Sequence, residues 1–241
     1  MTWQVDLLGE DADIGELAKV APVCECAIAL GADDRQCLTG PRFTRFSNSE
    51  EVRAEASQLM DLLNGLARIR HGNHRPVRLG ASVSHLGPDG RRDVTVRLTP
   101  VEIRSRVSLE MTVTRSDGSI ETAPPSDRSM ERAKRIASDP KLVEIAEALG
   151  GDITWQRLRV AFEKLTVLVG KSRKDDNALV KHGYATQDEL NAFKANIEDP
   201  RHSGLDAVHG VPQGPLKGTK MNEQRGLAFV VRLFENYVDR S

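Results

Sequence analysis

The sequence has few aromatic residues, few cysteines and no long apolar segment, and each of these absences excludes a class of protein. No apolar run approaches the roughly 20 residues that a membrane-spanning helix needs. The first residues lack the basic start and apolar core of a secretory signal, and the three cysteines are an odd number. These features predict a cytoplasmic protein with reduced thiols and no membrane contact, rather than a disulfide-stabilised secreted domain.

Length and composition are those of a folded protein. Hydrophobic residues make up 39% and charged residues 29% of the 241 residues, which excludes a disordered or collagenous chain. The adjacent prolines Pro124 and Pro125 fix the backbone and remove two hydrogen-bond donors just before a helix-start signal. We therefore predict a domain boundary there, with an α+β domain over residues 1–122 and a helical domain over residues 123–241.

The first predicted domain combines strands with one long helix. Strand-like runs cover residues 3–8 and 23–30, and a Ser47-x-x-Glu50 capping box introduces a long amphipathic helix. Three further runs, 77–86, 93–98 and 101–115, are separated by turn residues and alternate apolar with polar side chains. Such alternation predicts an antiparallel sheet with one solvated face, against which the long helix packs.

The second predicted domain is a bundle of about five helices. Ser126, Asp139, Thr186 and Asn222 are predicted N-caps, and Trp155 opens another apolar stripe. Gly150-Gly151 and Gly170 are predicted helix ends. The predicted fold class is thus α+β, an antiparallel sheet with a long packed helix, followed by an all-α bundle.

The net charge of −1 hides an uneven distribution. Residues 1–67 contain 12 acidic and 5 basic side chains, whereas residues 68–106 contain nine arginines and three acidic residues. In strand geometry four of these arginines share the polar face of the sheet and are candidate anion-binding residues: Arg78, Arg97, Arg104 and Arg106. The alternative is an ordinary solvated face whose charge the acidic first third neutralises. No aromatic residue lies between Phe46 and Trp155, so a nucleic acid here would be bound through its backbone and not by base stacking.

Several short motifs resemble sites but lack a required residue. Gly170-Lys171-Ser172 resembles the end of a phosphate-binding loop, but Leu165 stands where that motif needs glycine. Cys24 and Cys26 alternate with apolar residues, which indicates buried cysteines rather than metal ligands. The sequence therefore predicts no metal site and no cofactor.

The segment from Phe193 to Met221 contains a long loop rich in glycine and proline, and such loops often carry function. Its residues resemble a pattern in a bacterial family of uncharacterised proteins that have a β-containing front half and a helical back half. The matching positions are Phe193, Ala195, Asn196, Gly204, Ala207, His209, Gly210, Pro215 and Met221. In this sequence Val208 stands where the pattern has an arginine, and Arg201 lies upstream in the same loop.

The second half is also weakly similar to HEPN-like helical bundles, which occur in toxins, ribonucleases and phage-defence proteins. The resemblance implies a composite RNA-cleaving site in which His209 acts as acid or base, Arg201 stabilises the phosphorane and Asn196 assists. The spacing from Arg201 to His209 is longer than in that family. The alternative is that Asn196 and His209 bind loop backbone and fasten the loop to the bundle.

Three functions remain open at this point. The working hypothesis is a non-enzymatic binding module that contacts a protein or a nucleic-acid backbone through the arginine-rich face and the 194–221 loop. The second is a metal-independent ribonuclease using His209 and Arg201. The third is a scaffold subunit or homodimer that associates through the C-terminal helix, where Phe229 falls off the main apolar stripe and is expected to contact a partner with Phe234 and Tyr237.

Overall fold

The sheet has five antiparallel strands in the order β2-β3-β1-β4-β5. The structure, a computed structural model, describes residues 2–31, 34–87, 91–96, 127–170, 172, 175–198 and 220–241. The strands are β1 (Thr2–Leu8), β2 (Ala27–Leu30), β3 (Gln36–Thr39), β4 (Arg78–Leu86) and β5 (Arg92–Val96).

Eight α-helices accompany the sheet in the part of the chain that the structure describes. They are α1 (Asp11–Val20), α2 (Ser49–Arg70), α3 (Asp127–Ser138), α4 (Pro140–Gly150), α5 (Trp155–Gly170), α6 (Asn177–Lys181), α7 (Gln187–Glu198) and α8 (Glu223–Arg240). This arrangement confirms the predicted α+β class, with a long helix packed on an antiparallel sheet and an all-helical second half. The short helix α6 was not predicted from the sequence.

Three predicted N-caps, Asp139, Thr186 and Asn222, are confirmed, while the predicted cap Ser126 lies outside the described residues. The Asp139 carboxylate accepts a hydrogen bond from the Lys141 amide, 2.9 Å away. The Asn222 side chain accepts one from the Arg225 amide, also at 2.9 Å. At Thr186 the capping box is reciprocal, because the Thr186 hydroxyl accepts from the Glu189 amide and the Glu189 carboxylate accepts from the Thr186 amide.

Two predicted boundaries in the first half are shifted. Helix α2 is capped by Asn48 rather than Ser47, because the Asn48 side-chain oxygen accepts a hydrogen bond from the Glu51 amide at 2.9 Å. The strand predicted to start at residue 23 begins only at Ala27, since residues 21–24 form a 3₁₀ turn that contains Pro22. The predicted strand at 101–115 and the domain boundary at 122/123 lie outside the described residues.

Helix α2 lies between the sheet and the helical half. One side packs on β4, and another packs closely on α4. At Gly65 a Cβ atom would lie 2.0 Å from the Ala146 carbonyl oxygen, and at Gly150 it would lie 1.8 Å from that of Asp61. The two helices therefore touch backbone to backbone, and the buried residues of both halves form one continuous hydrophobic core.

Phe193 of α7 is the centre of the aromatic packing in the helical half. Its ring centroid lies 5.0 Å from that of Phe162 and 5.1 Å from that of Phe229. The prediction that Phe229 contacts a partner protein is wrong, because this side chain is only 6% exposed. Its position off the main stripe of α8 is explained by the ring of Phe193 from α7, which packs against it.

We expect Gly65→Ala to destabilise the protein by about 3 kcal/mol or more, because the added methyl group has no space beside the Ala146 carbonyl. Gly15→Ala is the matched control. Gly15 lies on the exposed side of α1, and no atom lies within 4 Å of the position that a methyl group would take there. This change should therefore stabilise the protein by up to about 1 kcal/mol. Urea unfolding measures both values, and equal stabilities of the two variants would contradict the close contact.

Candidate functional site

An open cleft of about 600 Å³ lies between α2, the start of β4 and the turn that joins α4 to α5. Eight of its fifteen lining residues have polar or charged side chains, so the lining is more polar than the walls of most small-molecule pockets. Its charged residues comprise three arginines and three acids: Arg53, Arg78, Arg157, Glu50, Asp61 and Asp152. The lining is therefore electrically balanced, with three positive and three negative side chains.

The three arginines of the cleft differ in how strongly they are already engaged. Arg78 pairs with Asp152 at 2.8 Å, and both side chains are exposed. Arg157 forms a looser pair with Asp61, 3.4 Å away. Arg53 donates one long hydrogen bond of 3.4 Å to the Ala81 carbonyl, and no carboxylate among the described residues pairs with it. Arg53 is therefore the cation best placed to bind an incoming anionic group.

The floor of the cleft is held by a buried amide. The Asn64 side chain donates to the Val77 carbonyl and accepts from the Val77 amide, both at 2.8 Å. This pair of bonds fixes the start of β4 against α2. Because Asn64 is 3% exposed, water does not compete for these bonds, and they hold the start of β4 in place at the floor of the cleft.

Two arginines bind the C-terminal end of α4, where helix carbonyls lack partners within the helix. Arg68, 1% exposed, donates to the carbonyls of Leu149 and Gly151. Arg157 donates to the carbonyls of Ala148 and Glu147, at 3.1 and 2.9 Å. Burial and then the nearby Arg157 charge lower the pKa of Arg68 to about 10, so Arg68 stays charged at neutral pH and complements the helix dipole.

His74 is buried beside this arginine. Its Nε2 lies 3.0 Å from the Asn64 side-chain oxygen, and its Nδ1 lies 3.4 Å from an Asp13 oxygen. Burial, followed by the charge of Arg68, lowers the pKa of His74 to about 4, and both effects outweigh the opposing attraction of Glu16. His74 is therefore neutral at pH 7 and donates from Nε2 to Asn64.

Of the three residues of the predicted ribonuclease site, Asn196 alone lies within the described residues. It is fully buried, donates to the Ala192 carbonyl and accepts from the Met221 amide, both at 2.8 Å. These bonds join α7 to the residues before α8 and match the fastening role given as the alternative. Arg201 and His209 lie outside the described residues, so RNA cleavage stays a prediction.

The arginine-rich segment is partly neutralised by acidic residues of the first third. Arg70 pairs with Glu16 and Arg75 pairs with Glu10, while Arg68 is buried against α4. Of the four candidate anion-binding residues, Arg78 is described and pairs with Asp152. Arg97, Arg104 and Arg106 lie outside the described residues, so their role stays a prediction.

The cysteines lack the properties of nucleophiles. All three are free and buried. Burial raises the pKa of Cys24 to about 11 and that of Cys26 to about 12, so neither forms a thiolate at neutral pH. Among the described residues no group of three or more His, Cys, Asp or Glu side chains is placed to hold a metal ion, and none of the helices described is long and apolar enough to cross a membrane.

Comparison with known proteins gives no relative: no protein-family model matches the chain, and no curated protein or solved structure is detectably similar to it. The family resemblances drawn from the sequence therefore stay predictions. Sequence reasoning did not identify the cleft, because its walls come from three segments that lie far apart along the chain.

We expect Asn196→Ala to destabilise the protein by about 2 to 3 kcal/mol, because it leaves the Met221 amide without its partner and removes the side-chain hydrogen bond to the Ala192 carbonyl. Asn191→Ala, at an exposed position of the same helix, should change stability by less than about 0.5 kcal/mol. The measurement is the free energy of unfolding in urea. Unchanged stability of Asn196→Ala would contradict the fastening role.

The buried His74 predicts a pH dependence of stability. Its pKa is about 4 in the folded protein and about 6.5 in the unfolded chain. Below pH 6.5 the unfolded state therefore binds a proton that the native state does not, and stability falls until pH 4, by about 3 kcal/mol in total. His74→Gln should flatten this part of the profile, measured by urea unfolding from pH 7 to pH 4. Parallel profiles of the two proteins would contradict the assignment.

Proposed function

We propose that the protein is a non-enzymatic binding module and that the cleft between α2, β4 and the α4–α5 turn binds a segment of a partner protein. The observation that carries this proposal is the balanced charge of the cleft, with three arginines and three carboxylates in one concave surface. A polypeptide segment offers both charges as well as backbone donors and acceptors. Such a ligand can satisfy a lining of this kind.

A nucleic-acid backbone fits this cleft less well. Its phosphates would meet Glu50, Asp61 and Asp152 as well as the arginines, and like charges at close range oppose binding. The pairing of Arg70 with Glu16 and of Arg75 with Glu10 reduces the positive charge of the neighbouring surface in the same way. Both observations favour a protein ligand over a polyanion.

The test selects, from a random library of displayed peptides, those that bind the folded protein. We expect the selected peptides to bind Arg53→Glu at least about tenfold more weakly, since the change removes a cation and adds a repelling carboxylate at the cleft wall. The control is Arg159→Glu, on the outer part of α5, where Arg159 pairs with Glu163 one turn away and does not line the cleft. That variant should bind like the wild type.

A 20-nucleotide single-stranded RNA serves as the competitor in the same assay. We expect it not to displace the selected peptides at physiological salt. Equal peptide affinity of Arg53→Glu and the wild type, or displacement of the peptides by RNA, would overturn the proposed function. Thermal unfolding of each variant confirms that the comparison is made between folded proteins.

A further inference from the structure

Helix α2 contributes three charged residues to the cleft, Glu50, Arg53 and Asp61. Arg53, Ser57 and Asp61 all line the cleft, and they are spaced four residues apart. A helix rises 1.5 Å per residue, so Arg53 and Asp61 are about 12 Å apart along its axis. The wall therefore presents a positive and a negative group at a fixed separation.

Both groups can accept a new partner. Arg53 has one long hydrogen bond to a carbonyl and no paired carboxylate among the described residues. The Asp61 side chain is 50% exposed, and its pair with Arg157 is 3.4 Å long. On the opposite wall Arg78 and Asp152 neutralise each other. Glu50, in the first turn of α2, already has a partner, so Arg53 and Asp61 set the charge preference of this wall.

The separation of these groups selects the conformation of the ligand. An extended chain advances about 3.3 Å per residue, and every second side chain faces the same way. Side chains four residues apart therefore lie on one face about 13 Å apart, which matches the spacing of Arg53 and Asp61. In a helical ligand, side chains four residues apart are only about 6 Å apart along the axis, so a pair at this spacing reaches both groups only in an extended segment.

We infer that the cleft selects an extended segment of the partner that carries one acidic and one basic side chain four residues apart, the acidic one at Arg53 and the basic one at Asp61. This inference depends on the proposed function, because it specifies the ligand of the same cleft. It also predicts that segments with several consecutive acidic residues are rejected, since they would place a carboxylate beside Asp61.

The first readout is the pattern in the selected peptides. We expect acid–base pairs at spacing four to be enriched over pairs at spacing two or three. Synthetic nine-residue peptides with a single Glu and a single Lys in a Gly/Ser background should bind about fivefold more tightly at spacing four than at spacing two. Fluorescence anisotropy of labelled peptides measures this difference, and peptides with Glu first and with Lys first are both tested.

The second readout is a charge swap. The double variant Arg53→Glu with Asp61→Lys should reverse the preferred order of Glu and Lys in the peptide while keeping the spacing of four. The matched control swap, Arg159→Glu with Glu163→Arg, exchanges a pair at the same i,i+4 spacing that does not line the cleft, and it should leave the order unchanged.

The outcomes separate the two proposals. Peptides that lose affinity on Arg53→Glu but show no spacing preference, or whose order is not reversed by the swap, would overturn this inference and leave the proposed function standing. Failure to select any peptide sensitive to Arg53→Glu would overturn both. Enrichment of acidic runs alone would overturn the role of Asp61.

Discussion

The backbone contact between α2 and α4 is the constraint on which the rest of the structure depends. Gly65 and Gly150 have no side chain, so each admits a carbonyl of the facing helix at a distance that any methyl group would block. The two helices therefore pack more closely than side-chain interdigitation allows. Since α2 also packs on β4, this contact fixes the end of α4 beside the first residues of that strand. The cleft is the space left between these three parts.

The end of α4 depends on cations from other elements. Its last carbonyls are bound by Arg68 of α2 and Arg157 of α5. A buried guanidinium without a carboxylate partner is normally unfavourable. Here carbonyls of α4, the Gly151 carbonyl and the helix dipole supply the negative potential that a carboxylate would otherwise give. Because Arg68 and Arg157 come from the two helices that flank α4, the turn that forms one wall of the cleft is held from both sides.

The features that could be predicted from sequence are those with local causes. The caps at Asp139, Thr186 and Asn222 involve residues two or three positions apart, so the sequence contains both partners. The start of β2 was misplaced because the strand-like pattern extends to the residues beside Pro22, whose fixed backbone favours the turn that forms there. Phe229 was misassigned because the helical stripe of α8 does not show that the Phe193 ring of α7 packs against it.

The candidate site could not be predicted for a related reason. Arg53, Arg78 and Arg157 lie on three elements separated by 25 and 79 positions along the chain, and no spacing rule connects them. The uneven charge of the segments is evident from the sequence, but the pairing of Arg70 with Glu16 and of Arg75 with Glu10 exists only in the folded chain. From the sequence, neutralisation of the arginines by the acidic first third was one of two alternatives. The structure identifies Glu16 and Glu10 as the partners of two of these arginines.

That pairing also means that the charge seen by a polyanion depends on the folding state. In the native protein, Glu10 and Glu16 of the N-terminal region lie against arginines that follow them by more than fifty residues. When the chain unfolds, these partners separate and residues 68–106 become a flexible segment with nine arginines and three acidic residues. An unfolded fraction would therefore bind RNA or heparin electrostatically and lose them at raised salt. Retention of part of a preparation on a heparin column at low salt would therefore indicate unfolded protein.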